Sequence, residues 1–138
     1  MNTSAAYWNR EATPIWFFPD VAGSQNTVTV MTSSRMFWAG EYRSVPLGLS
    51  ERSVTRFTIE MNEYRIDVMA AYLGTSREDA IVATFTHELA HVIGLEDQPS
   101  LAGPDWSIMW IGTGDQLRRN RRPQEFDVDS VRMLYGDR

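Results

Sequence analysis

The sequence predicts an α+β fold in a single domain, and three observations predict it. The chain has 138 residues, 43% of them hydrophobic and 22% charged, which suits one core and leaves too little chain for two. Stretches with a period of two, rich in β-branched and aromatic residues, fall in the first half, whereas the two clearest helical patterns fall in the second. No apolar run reaches the roughly 18 to 20 residues of a membrane span, and the longest, near 80–95, is interrupted by His87, Glu88 and His91.

Taken in chain order, residues 4–12 (SAAYWNREA) read as a short helix that Pro14 stops, and residues 15–18 (IWFF) as an aromatic strand ended by Pro19 and Asp20. Residues 26–32 (NTVTVMT) alternate and are β-branched, a second strand. Over 45–49, Pro46 and Gly48 argue for an edge strand or a loop, because proline cannot donate to a ladder. Phe57, Ile59 and Met61, with Thr58 and Glu60 between them, mark a further strand with one buried face. The strongest helix opens at Ser76 as N-cap, carries Glu78 and Asp79 in its first turn, repeats Ile81, Phe85, Leu89 and Val92 at helical spacing, and ends at Gly94. Apolar or small residues occur nearly all round it, so it is expected to be buried, and polar groups within it require a reason. Residues 95–122 hold Pro99, Gly103, Pro104, Gly112 and Gly114 and read as a long irregular stretch, which in a compact domain is usually functional. A last helix is expected from Asp127 as N-cap to Gly136, with Phe126 and Val131 placed as a hydrophobic staple.

Among the polar groups of the buried helix are the only two histidines of the chain, His87 and His91, with Glu88 between them. Four residues turn a helix by about 400°, so both imidazoles face the same way one turn apart and can converge on one Zn²⁺. Glu88 lies roughly 60° round the helix from His91, within reach of a water at the metal without being a ligand. A hydrogen-bonded polar patch is the competing reading. Chance is a poor one: two histidines placed at random in a chain of this length fall four apart about 1.4% of the time, and unpartnered polar groups on a buried helix would cost about 1–3 kcal/mol each. A third protein ligand is still needed. Gly94 lets the chain turn sharply, which can bring Asp97 under the metal, with Glu96 as its competitor.

The full stretch, HELAHVIGLED, has the pattern H-E-x-x-H-x-x-G-x-x-D and resembles the extended zinc-binding signature of metzincin metalloproteases, in the variant with Asp in place of the usual third His that the snapalysin family of small bacterial proteases carries. Ser107-Ile108-Met109-Trp110 (SIMW) is similar to the methionine turn of that group, with Met109 as its methionine; DVDSVRMLYG resembles the last helix of matrixin catalytic domains, and SAAYWNREATPIWF their first helix and the strand after it. The resemblance implies a zincin-type catalytic domain over 1–138, an upper part of about 1–94 and a lower part of about 95–138, with a twisted mixed sheet, an active-site helix and a C-terminal helix. It implies a zinc metalloendopeptidase with His87, His91 and Asp97 as metal ligands and Glu88 as general base. Substrate would lie extended along an edge strand, for which 45–49 is the candidate, with a pocket wall drawn from 105–114. Three departures are visible: little chain precedes the first helix for an opening strand, no Tyr stands two residues after Met109, and latency through a cysteine cannot operate within this chain. The alternative is a binding or structural protein of the same fold that keeps zinc for stability, against which the presence of Glu88 argues, because a structural site closes its fourth position and needs no base.

Composition narrows the partners. Thirteen basic residues, all Arg, against 18 acidic ones leave a formal charge of −5, so nucleic acid is not an expected partner, and the cluster Arg118, Arg119, Arg121 and Arg122 reads as a solvated loop. The absence of cysteine excludes disulfides, thiolate ligands and a cysteine nucleophile. The first residues, MNTSAAYWNREAT, lack the basic and apolar regions of a secretory signal, although the resemblance points to secretion. A peptide or protein substrate, no membrane and a monomer are the expectations. The resemblance admits calcium as well, but no loop of the form D-x-[DN]-x-[DN]-G occurs.

Overall fold

The alternating segments around Val28 and Ile59 pair with each other, the second as the central strand of a mixed sheet. In the structure, a computed structural model that describes residues 2–18, 22–46, 54–99, 107–110 and 120–136, strands β1 (Thr27–Met31), β2 (Gly40–Pro46) and β3 (Val54–Asn62) lie in the order β1-β3-β2. β1 runs parallel to β3 with Val28 beside Ile59, and β2 runs antiparallel to it with Gly40 beside Met61. Four helices accompany them among the described residues: α1 (Asn2–Arg10), α2 (Glu63–Leu73), α3 (Arg77–Val92) and α4 (Glu125–Tyr135). The fold class is α+β.

The alternation in β3 works as its period requires. Ile59 and Met61 are buried toward the helices, while Thr58 and Glu60 stay half-exposed on the other face. α3 packs against β2, β3, α1 and α2, which is why apolar and small residues surround it. Its start is the expected one: the Ser76 hydroxyl accepts the Asp79 amide at 3.0 Å, and Glu78 and Asp79 occupy the positive end of the helix. α1 is tied to α3 by polar contacts inside the packing, where the Trp8 indole N–H donates to the Thr86 carbonyl at 3.1 Å and the Ser4 hydroxyl donates to that of Val82. One cluster of buried side chains joins Trp8, Ile59, Met61, Ile66, Phe85, Leu89, Ile108, Met109 and Val131, drawn from α1, β3, α2, α3, the 107–110 turn and α4.

Several expectations are corrected. The first helix lies two residues earlier than 4–12, ending at Arg10. Residues 15–18 form no strand: the Asn9 side chain takes both main-chain groups of Phe17, its Nδ2 donating to the carbonyl and its Oδ1 accepting the amide, each at 2.7 Å, and so replaces a neighbouring strand. The edge strand begins at Gly40 rather than Val45, and 47–50 lie outside the described residues. α2 was not expected. It follows β3 without a loop and is closed by Gly74 at φ 61°, whose amide reaches the Ala70 and Ala71 carbonyls. α4 starts two residues before Asp127, with Gln124 as N-cap, so Asp127 sits at the third helical position and closes a capping box, and Phe126 lies inside the first turn where it cannot act as a staple.

The fully buried Asn62 fixes where β2 begins. Its amide donates to the Ala39 carbonyl at 2.8 Å, its Nδ2 to the Ser33 and Trp38 carbonyls, and its Oδ1 accepts the Ser33 amide, so the chain entering β2 is held at four points from the end of β3.

Candidate metal centre

The last two turns of α3 carry His87, Glu88 and His91, and Ile93 and Gly94 end the helix. Gly94 adopts φ 85°, a conformation that costs a side-chain-bearing residue about 1 kcal/mol or more, and it reverses the chain immediately. The Leu95 amide then bonds the Ala90 carbonyl at 3.0 Å, and the Leu95 carbonyl accepts from His91 Nδ1 at 2.8 Å. Two residues further on, Asp97 faces both histidines: its Oδ1 is 3.2 Å from His87 Nε2 and 3.4 Å from His91 Nε2. One ligand atom from each of His87, His91 and Asp97 lies within 4.8 Å of the others. Glu96 is exposed and stands outside this group.

A second layer orients the first. His87 Nδ1 is 2.9 Å from the Ile108 carbonyl oxygen. Carbonyl oxygens only accept, so both Nδ1 atoms carry the proton and each Nε2 presents its lone pair when the ring is neutral. The Ile108 carbonyl is itself placed by α4. Asp127, buried at the start of that helix, accepts the Ser107 hydroxyl at 2.6 Å and the Ile108 amide at 3.0 Å, while the Ser107 hydroxyl accepts the Met109 amide. The Gln98 amide donates to the Met109 carbonyl at 2.8 Å, which ties the segment carrying Asp97 to the same turn. Met109 is buried in this turn. On the opposite side, the Tyr42 ring of β2 stacks on His91 at 19° between planes and 6.1 Å between centroids.

The donor set fits a divalent ion. Two imidazole nitrogens and a carboxylate oxygen suit Zn²⁺, and in a tetrahedron with bonds of about 2.05 Å adjacent ligand atoms stand about 3.4 Å apart. The two histidine–carboxylate separations match that edge, and with the rings protonated the same contacts are long hydrogen bonds. Without a cation, two lone pairs would face a carboxylate unless the rings were protonated.

The imidazole hydrogen bonds from His87 and His91 hold the Asp97 carboxyl well below the usual carboxylate range. Burial pulls His91 down, but its bonds to Asp97 and the Leu95 carbonyl and the charges of Glu88 and Asp97 together outweigh that and raise it. Burial raises Glu88, 4% exposed, against the opposing charge of the two imidazoles and the Tyr42 amide that hydrogen-bonds it. Burial likewise raises Asp127 despite its bonds to Ile108, Ser107 and Gln124.

The structure thus brings together His87, His91 and Asp97, with Glu88 on the same helix. Of the pocket wall expected over 105–114, Ser107, Ile108 and Met109 are core and Trp110 is half-buried, and the remainder lies outside the described residues. In the arginine cluster, Arg121 pairs with Asp79 and Arg122 covers the Tyr7 ring, while Arg118 and Arg119 lie outside the described residues. Sequence reasoning missed Tyr42 and the buried Asp127 carboxylate. The first carries no local signal, and the second reads as an ordinary helix cap. Comparisons with protein-family models, with curated proteins and with solved structures return no match to this chain.

Proposed function

We propose that this chain is a zinc-dependent metalloendopeptidase of metzincin type, in which His87, His91 and Asp97 hold the ion and Glu88 is the general base. The observation that carries the reading is the pair of Nδ1–carbonyl bonds, which turns two Nε2 lone pairs toward one carboxylate oxygen at 3.2 and 3.4 Å. The signature HELAHVIGLED and its resemblance to the metzincin pattern support the same reading. Zinc held there supplies a Lewis acid that polarises a carbonyl and lets water act as a nucleophile near neutral pH.

The residues of the chain do the rest. A Glu88 oxygen takes a proton from the attacking water as its oxygen bonds the scissile carbonyl carbon, and returns it to the amide nitrogen as the C–N bond breaks. Burial keeps Glu88 from bulk water and raises its basicity. The Tyr42 ring holds the plane of His91. β2, the outer strand of the sheet on this side among the described residues, offers a main-chain edge along which an extended peptide can add as a further strand.

Replacing Glu88 by Ala is expected to leave zinc bound and to lower peptide hydrolysis by about 10²–10⁴-fold. Undiminished hydrolysis in Glu88→Ala contradicts the assignment. A zinc-loaded wild type inert toward a diverse peptide library favours instead a binding or structural protein that keeps the ion.

A further inference from the structure

We infer that Gly40 is a positioning residue for Glu88: the missing side chain at the start of β2 is what allows the base to stand where it does. A β-carbon built on Gly40 would lie 2.6 Å from Glu88 Oε1, 2.7 Å from Glu88 Cγ and 2.8 Å from Thr84 Cγ2. Real side chains do not approach so closely, so something must move. The strand cannot retreat, because the Ala39 carbonyl is bonded to the Asn62 amide, the Trp38 carbonyl to Asn62 Nδ2, and Gly40 itself is registered against Met61 of β3. α3 cannot retreat either, being packed on α1 and α2 behind. Displacement therefore falls on the Glu88 side chain, whose Oε1 and Cγ are the nearest atoms. A glycine inside a strand marks a close approach of backbone to another group, and here that group is the base.

The assignment of a catalytic consequence rests on the reading of Glu88 as general base, whereas the contact itself does not, and the test separates the two. Thermal unfolding of Gly40→Ala, Glu88→Ala and the double variant forms a cycle that needs no activity. Gly40→Ala is expected to lower the midpoint by at least about 4 °C in the wild-type background and by less than half as much when Glu88 is already Ala. Equal losses in both backgrounds overturn the inference. Should Gly40→Ala fail to fold, a folded double variant supports the contact and an unfolded one overturns it. In the zinc-loaded folded variant, kcat is expected to fall by about 100-fold, the effect of a displaced catalytic group, with KM and zinc affinity each within about threefold of wild type. An unchanged kcat, or a loss of zinc affinity that accounts for the lost rate, overturns the positioning role. If the wild type hydrolyses nothing, the peptidase reading fails, and the unfolding cycle still decides whether Gly40 and Glu88 press on each other. Thr84→Ser, which removes Cγ2 alone, is expected not to rescue Gly40→Ala, and a full rescue by it assigns the clash to Thr84 and overturns the role.

Discussion

At His87 and His91, hydrogen bonds to the Ile108 and Leu95 carbonyls decide what the opposite ring nitrogens can do. With Nδ1–H donated, a neutral ring turns its Nε2 lone pair toward the Asp97 carboxylate, and the three atoms could hold a metal ion, as the proposed function requires. Asp97 and its neighbour Glu96 are therefore not equivalent. Asp97→Asn is expected to weaken zinc binding by at least the 10–100-fold that even supporting residues of such sites contribute, whereas Glu96→Gln leaves it within about threefold. Competitive titration against a chromogenic chelator measures both, and equal losses would contradict the choice of Asp97. At this scale the sequence was informative, because the residues concerned fall within eleven positions of one helix and the turn after it. Gly40 was not legible: its contact with Glu88 joins positions far apart in the chain, and nothing near Gly40 announces what its backbone will meet.

Among elements, the one that matters most beyond α3 is α4, because its first turn reaches the cluster of His87, His91 and Asp97 through a chain of polar contacts. Asp127 holds Ser107 and Ile108, Ile108 holds His87, and the same turn holds Gln98 beside Asp97. An amide at position 127 presents one donor where two acceptor oxygens are needed. Asp127→Asn is accordingly expected to cost about 1–3 kcal/mol in denaturant unfolding and to weaken zinc binding by about tenfold. A destabilised variant with unchanged zinc affinity would show that the turn does not position His87. The elements differed in how visible they were for physical reasons. α3 has a cap, an acidic first turn, periodic apolar residues and a glycine stop, all in agreement. α2 has no such consistency: Ile66, Ala70 and Leu73 are buried, but Tyr64, Val68 and Tyr72 stand exposed between them, so no apolar stripe stands out. β2 (GEYRSVP) is poor in β-formers and is held as a strand by its pairing with β3, and IWFF has the composition of a strand but its hydrogen bonds go to Asn9. Asp127 satisfies the rule for an N-cap and for a capping-box partner three residues later, and only the folded chain chooses.

For the whole molecule, the proposed function makes protons and metal competitors for one cluster, and the cluster's own protons set how the stability of the metal-free chain depends on pH. In the metal-free protein the Asp97 carboxyl is lowered, so its contribution is present above the ordinary value of 3.8 and is lost as pH falls through the lowered one. His91 is raised, so its contribution is present below the ordinary 6.5 and is lost as pH rises through the raised value. The stabilisation from this pair is complete only between about pH 4 and 6.5. With chelator present, the difference in unfolding midpoint between wild type and Asp97→Asn is expected to be largest in that window and to shrink above it. A difference that keeps growing above pH 7 without metal would contradict the arrangement. Added zinc is expected to reverse the trend, because a bound ion displaces the protons and its stabilisation grows as pH rises.

The metal content of the folded chain tests the account most directly. Protein stripped with chelator, confirmed folded by circular dichroism, then equilibrated with zinc and dialysed, is expected to retain one zinc per chain by mass spectrometry and to unfold at a higher temperature than the stripped form, with both effects lost in a His87→Ala, His91→Ala variant. Folded wild-type protein that retains no zinc, and whose unfolding is indifferent to it, contradicts the account.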